Sequence, residues 1–205
     1  MQTLTLSALS LAALATCALW MQDSKPQRFT HPISKDKDGG MARWMETTKP
    51  GPAHERLKEL LGTYEVKMSI LGMPGEAAME SKGTSEVSWL AEGKWLQMKW
   101  SVPMFGHAVT GAELLGYDNF KQRYVWCQVN SLETAMKTAS GHFDKSGDNL
   151  ILWGQIDEPA TPEQDKEVRY IWRGFGQDKC TIEVHDMMIG ETDTKVVTFE
   201  FTRKK

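Results

Sequence analysis

The chain has 205 residues, enough for one domain of ordinary size with an extension and too few for two. Hydrophobic residues make up 40% and charged residues 25%, the balance of a water-soluble globular chain, and a formal charge of −3 excludes the basic surface that nucleic-acid binding needs.

In chain order, the first element is a segment apart. Leu4 to Leu19 carries no charge and is shorter than the ~20 residues of a membrane-spanning helix, and polar Gln22-Asp23-Ser24-Lys25 follows it. Residues 1–20 therefore read as an export signal, which places the protein in the periplasm or outside the cell. Met1-Gln2-Thr3 lacks the usual basic start, and without a signal the chain is cytoplasmic. Leu14-Ala15-Thr16-Cys17 resembles a bacterial lipoprotein processing site, so a lipid on Cys17 is the one route to a membrane that the sequence offers. Residues 21–49 show no sustained period and read as a flexible linker.

The domain, residues 50–205, opens with Pro50-Gly51-Pro52 and then "AHERLKELLG", where Leu57, Leu60 and Leu61 recur at helical spacing and Gly62 supplies a stop. After Gly62 the period falls from 3.6 to 2. Tyr64, Val66, Met68 and Ile70 alternate with polar residues, as do Leu96, Met98 and Trp100, and Val168, Tyr170 and Trp172. Further strands are expected over 84–90, 108–117, 124–130, 135–144, 149–156, 180–186 and 195–203. Glu92-Gly93, Asp118-Asn119, Ser146-Gly147-Asp148 and Gly176-Gln177-Asp178 supply tight turns between them. About ten strands joined this way protect their edges most simply by closing into an up-and-down antiparallel β-barrel with a short N-terminal helix; a sandwich is the alternative. A barrel of that size leaves space for one small ligand.

The segments "LKELLGTYEV", "GTSEVSWLAEGKWLQ" and "LLGYDNFKQRYVWCQVNSLETAMKTASGHFD" resemble the bacterial DUF1579 family over roughly Pro50 to Arg203. That family is similar to lipocalin-like (calycin) barrels, including fatty-acid-binding and nitrobindin-type proteins, which implies a small hydrophobic or amphipathic ligand. In this chain Tyr64 stands where the family pattern has Trp, and Gln128 and Asn130 where it has Trp and Asp. Nitrobindin-type barrels hold haem through a histidine in a strand near the C-terminus. The last strand here, "KVVTFEFTRKK", has none, and His185 lies one strand earlier with an outward pattern, so no cofactor is assigned and haem redox or isomerase chemistry is an alternative only.

No catalytic or metal constellation emerges. His31, His54, His107, His142 and His185 sit in separate segments without zinc spacing, and Ser140-Gly141-His142 has no third group to orient a base. Cys127, between Val125 and Val129 on its face, and Cys180 read as buried, inert thiols. Met68, Met79, Met98, Met104, Met136, Trp89, Trp100, Trp126, Trp153 and Trp172 supply large, adaptable surface for a core or a cavity wall. The loops Gly72-Met73-Pro74-Gly75 and Pro103-Met104-Phe105-Gly106 are apolar enough to edge a barrel mouth. The best ligand-contacting candidates are Tyr124, Trp126, Gln128 and Asn130, provided that face turns inward, with Met98, Trp100 and Trp172. A filled barrel serving only as a structural or interaction module is the other alternative.

Overall fold

The computed structural model describes residues 37–72, 77–159, 162–187 and 194–205. Residues 1–20, read as an export signal, with Cys17, together with His31, most of the segment read as a linker and Met73 to Gly75 of the first apolar loop, lie outside the described residues.

Ten antiparallel strands close into one barrel: β1 (Gly62–Ile70), β2 (Met79–Ala91), β3 (Trp95–Met104), β4 (His107–Asp118), β5 (Arg123–Asn130), β6 (Lys137–Phe143), β7 (Asn149–Glu158), β8 (Glu163–Arg173), β9 (Lys179–Asp186) and β10 (Thr194–Arg203). Every strand pairs with its neighbours in sequence, and β10 returns to pair with β1 through Tyr64 opposite Arg203 and Ile70 opposite Val197. Closure leaves no sheet edge, as the period-2 pattern predicted. One strand runs longer than its sequence pattern indicated: β2 begins at Met79, five residues before Thr84, because Ser81 and Gly83 continue the inward parity of Ser85 and Val87 without apolar side chains to reveal it.

The expected N-terminal helix is present in a tighter form. One α-helical turn over Pro52–Glu55 passes into a 3₁₀ turn over Arg56–Leu60, with Leu57 and Leu60 fully buried. The two turns plug the barrel end where β1 starts and β10 stops. The Tyr64 hydroxyl donates to the Leu60 carbonyl at 2.7 Å and the Tyr124 hydroxyl to that of Ala53 at 2.9 Å. Burial pushes both phenols up to about 12, so both remain donors. Arg56 donates to the Gly147 carbonyl at 2.9 Å and lies 3.8 Å above the Phe143 ring. From β10, Arg203 donates to the carbonyls of Leu61 and Glu59 and lies over the Tyr64 ring. Gly62 is needed beside it: its φ is +141°, and a Cβ there would meet the Arg203 guanidinium at 2.8 Å.

A second helix, α1 (Lys37–Thr47), lies within the residues read as linker. Met41, Trp44 and Met45 stand at i, i+3 and i+4, but the stripe is a single turn that follows two glycines and is exposed, too short to mark a sustained helical period. The Asn119 amide in the β4–β5 turn donates to the carbonyls of Thr47 and Lys49 and ties the end of that segment to the barrel.

The plug makes a prediction. Leu57→Ala, which empties a fully buried site, lowers the unfolding free energy in urea by about 2–5 kcal/mol. Exposed Lys58→Ala changes it by no more than about 0.5 kcal/mol. Equal losses would show that the plug is not part of the core.

Candidate functional site

The faces that periodicity left unlabelled are assigned by closure. On β5, Tyr124 and Trp126 are buried, Gln128 and Asn130 are half-buried on the same inward parity, and Val125, Cys127 and Val129 face out. Met98 and Trp172 are buried in the interior, and half-buried Trp100 packs against the same core. The structure therefore puts all seven sequence-derived candidates on the inner wall, but only some of them meet. Trp126, Met98 and Trp172 line one cavity of about 10 Å³ together with Leu60, Val87, Leu96, Glu113 and Leu115. Met98 and Trp172 also line a second cavity of about 10 Å³ with Tyr64, Cys180, Ile182 and Phe201. Tyr124 belongs to the plugged end, where Tyr117, Tyr124, Phe143 and Phe175 pack edge to face. Asn130 sits at the start of the β5–β6 turn and accepts from the amides of Leu132 and Glu133.

The residue that organises the site is Glu113, which the sequence reading did not single out. It faces inward from β4, directly opposite Gln128, and is only 7% exposed. The Trp126 indole donates to its Oε2 at 2.8 Å and the Gln128 amide to its Oε1 at 3.1 Å. The Trp100 indole N–H turns toward the same carboxyl, near enough to favour its charged form, but misses hydrogen-bond geometry and is buried without a partner among the described residues. Trp100 gets there by lying flat on Gly111, where a Cβ would meet its ring at 2.2 Å. Tyr170, across the interior on β8, packs its ring 4.7 Å from that of Trp126, and its buried hydroxyl is also unpartnered. The Ser85 hydroxyl on β2 is a third such group.

Burial drives the Glu113 carboxyl above the ordinary carboxylate range, against the pull of the Trp126, Gln128 and Trp100 donors and, from further off, the Lys137 charge. Burial and the neighbouring Glu113 likewise raise the Tyr170 phenol. The interior lysines nearby have partners: Lys137 pairs with Glu133 at 2.6 Å, and Lys166 with Asp186 at 2.6 Å and Glu163 at 3.2 Å.

Several expectations need correction. Trp153 is 50% exposed on the outer face of β7, because Leu150 and Leu152 take the inward parity; the Arg169 guanidinium lies 5.5 Å from its ring. Met136 is exposed in the β5–β6 turn. Cys127 is not a buried thiol but partly exposed on the outer wall, whereas Cys180 faces in and is pushed up to about 11 by burial. Phe105 and Gly106 form the β3–β4 turn at the unplugged end, with Phe105 exposed.

His185 lies on the outer face, its Nε2 3.1 Å from Glu183, which also pairs with Arg173. Haem needs its proximal ligand inside the apolar pocket, so His185 does not fit that role. His54 is buried in the plug, where burial lowers its pKa and Nδ1 accepts from the Gly51 amide. His107 and His142 are exposed. Among the described residues no group of three His, Cys, Asp or Glu side chains is placed to hold a metal ion.

Two comparisons bear on this architecture. The family profile described as "Protein of unknown function (DUF1579)" matches residues 49–203. The crystal structure of Rv2717c from M. tuberculosis aligns with a TM-score of 0.54 at 12% identity, over 77% of this chain and 100% of that one, a likeness of fold alone. No curated protein matches the chain.

The Glu113 environment sets a pH dependence. Its folded pKa is raised, so its contribution to stability is complete below the unfolded glutamate value and is lost as pH rises through the folded value. Surface carboxylates such as Asp144, held at about 2 by Ser146 and Asn149, act in the opposite sense. The comparison with Glu113→Gln isolates the buried group: the variant gains stability on the wild type as pH rises from 4 to 9 in urea denaturation. A difference that stays constant over that range contradicts the assignment.

Proposed function

The chain belongs to the DUF1579 family, and we propose that its barrel binds one small amphipathic molecule in the interior, with the polar group of the guest at Glu113. The observation that carries this reading is the buried Glu113 carboxyl, which has no ion-pair partner among the described residues, in the same interior as the Tyr170 phenol, which has no hydrogen-bond partner among them. An unpaired buried hydroxyl or N–H costs about 1–3 kcal/mol and a buried carboxylate more, a large share of a typical stability of about 5–15 kcal/mol. A barrel that only had to be full would replace these groups with hydrocarbon. The apolar body of the guest falls to Met98, Trp100, Trp126 and Trp172. Met98 is the side chain that can move aside, since an unbranched thioether repacks readily.

A second reading, the filled barrel, is favoured by the cavities themselves, each of which holds about one water. Native mass spectrometry separates the two. The binding reading predicts a non-covalent small molecule on the freshly purified protein, released by unfolding and reduced in Trp126→Leu. Such an adduct also survives in Met98→Ala, which opens the wall. A bare mass in both wild type and Met98→Ala overturns it in favour of the filled barrel.

The same reading keeps residues 1–20 as an export signal, on the strength of the uncharged run Leu4 to Leu19. The intact mass of the mature protein tests it: loss of that segment supports export, and a diacylated Cys17 at the new N-terminus identifies a lipoprotein. A full-length mass contradicts both.

A further inference from the structure

Resting on the binding reading, we infer that the guest carries a cationic nitrogen: a small organic ammonium ion whose charge is received by the Glu113 carboxylate between the indoles of Trp126 and Trp172.

The hydrogen bonds at Glu113 run in one sense. The Trp126 indole can only donate, and it donates to Glu113 at 2.8 Å; the Gln128 amide donates at 3.1 Å, and the Trp100 N–H, a donor only, turns toward the same group. The Tyr170 hydroxyl is not hydrogen-bonded to Glu113, so both bonds that reach the carboxyl are donated to it. The ring is therefore arranged for the ionised carboxylate.

Among the described residues Glu113 has no ion-pair partner, and the two inward lysines are committed, Lys137 to Glu133 and Lys166 to Asp186 and Glu163. The site thus favours an anion through its donors and penalises it through burial, and a guest cation resolves the conflict.

The surface around the carboxyl is aromatic. Trp126 and Trp172 line the cavity with Glu113, and the Tyr170 ring backs Trp126 at 4.7 Å. Indole faces attract desolvated cations, ammonium ions among them. A carboxylate guest would set a second negative charge against Glu113 in a low-dielectric interior and is disfavoured, so this barrel selects against fatty acids. Met98 and Leu96, on the same cavity, meet the apolar body.

Three probes of one chain length test the assignment by isothermal titration calorimetry: n-hexylammonium, n-hexanol and n-hexanoate. Hexylammonium binds one per chain and at least about tenfold tighter than hexanol, a gap of about 1.4 kcal/mol; hexanoate binds more weakly than either. In Glu113→Gln the hexylammonium affinity falls to that of hexanol, while retained hexanol binding shows that the pocket has kept its shape. Hexanol or hexanoate binding as tightly as hexylammonium, or an unchanged hexylammonium affinity in Glu113→Gln, overturns the cationic assignment and leaves the binding reading standing. No saturable heat from any of the three overturns both.

Discussion

Closing ten antiparallel strands on themselves removes every edge, and it also creates an interior that the wall must fill. Most of the structure follows from that requirement. One end is stopped by the 52–60 turns, whose Leu57 and Leu60 enter the barrel while Tyr64, Tyr124 and Arg203 hold their backbone from three places on the wall and Arg56 of the turns reaches out to the Gly147 carbonyl. Below the plug, aromatic rings fill the width edge to face. The indoles and thioethers of the middle section reach across the centre, with Gly111 giving Trp100 the depth it needs.

A barrel filled this fully has no structural need for a carboxylate at its centre, and Glu113 is the departure from that economy. Its two hydrogen bonds come from β5, one strand away, and the Tyr170 ring packs against Trp126 from β8. The polar residues of β5 share this wall: Gln128 bonds Glu113, and Asn130 ends the strand by capping its turn. The fold explains why these groups lie together, and the chemistry of a guest explains why they are worth burying.

How much of this was legible in the sequence depended on how sharply each strand distinguished its faces. β1 and β3 alternate cleanly, so their inward residues, Met98 and Trp100 included, could be read directly. On β4 and β7 both faces carry apolar residues: Leu114 competes with Leu115, and Ile151 and Trp153 with Leu150 and Leu152. There the parity was hidden: Trp153, grouped with the core or cavity-wall residues, lies outside, and Glu113 was not singled out. One signal was available: Val109, Leu115 and Tyr117 share its parity, and a glutamate in register with three apolar residues on a barrel strand is a candidate for burial. The surroundings of Tyr170 depend on contacts across the barrel, and those of Trp100 on its register against Gly111 of the next strand, neither of which a local pattern carries.

The central claim is that a buried carboxyl, rather than hydrocarbon alone, defines the interior. ¹³C NMR of protein labelled at the glutamate side-chain carboxyls, with Glu113→Gln to assign the resonance, measures it directly. The account predicts that Glu113 titrates above the ordinary glutamate range in the free protein and that its titration moves to lower pH when hexylammonium is bound. A Glu113 carboxyl that titrates at or below the ordinary range in the free protein would contradict it.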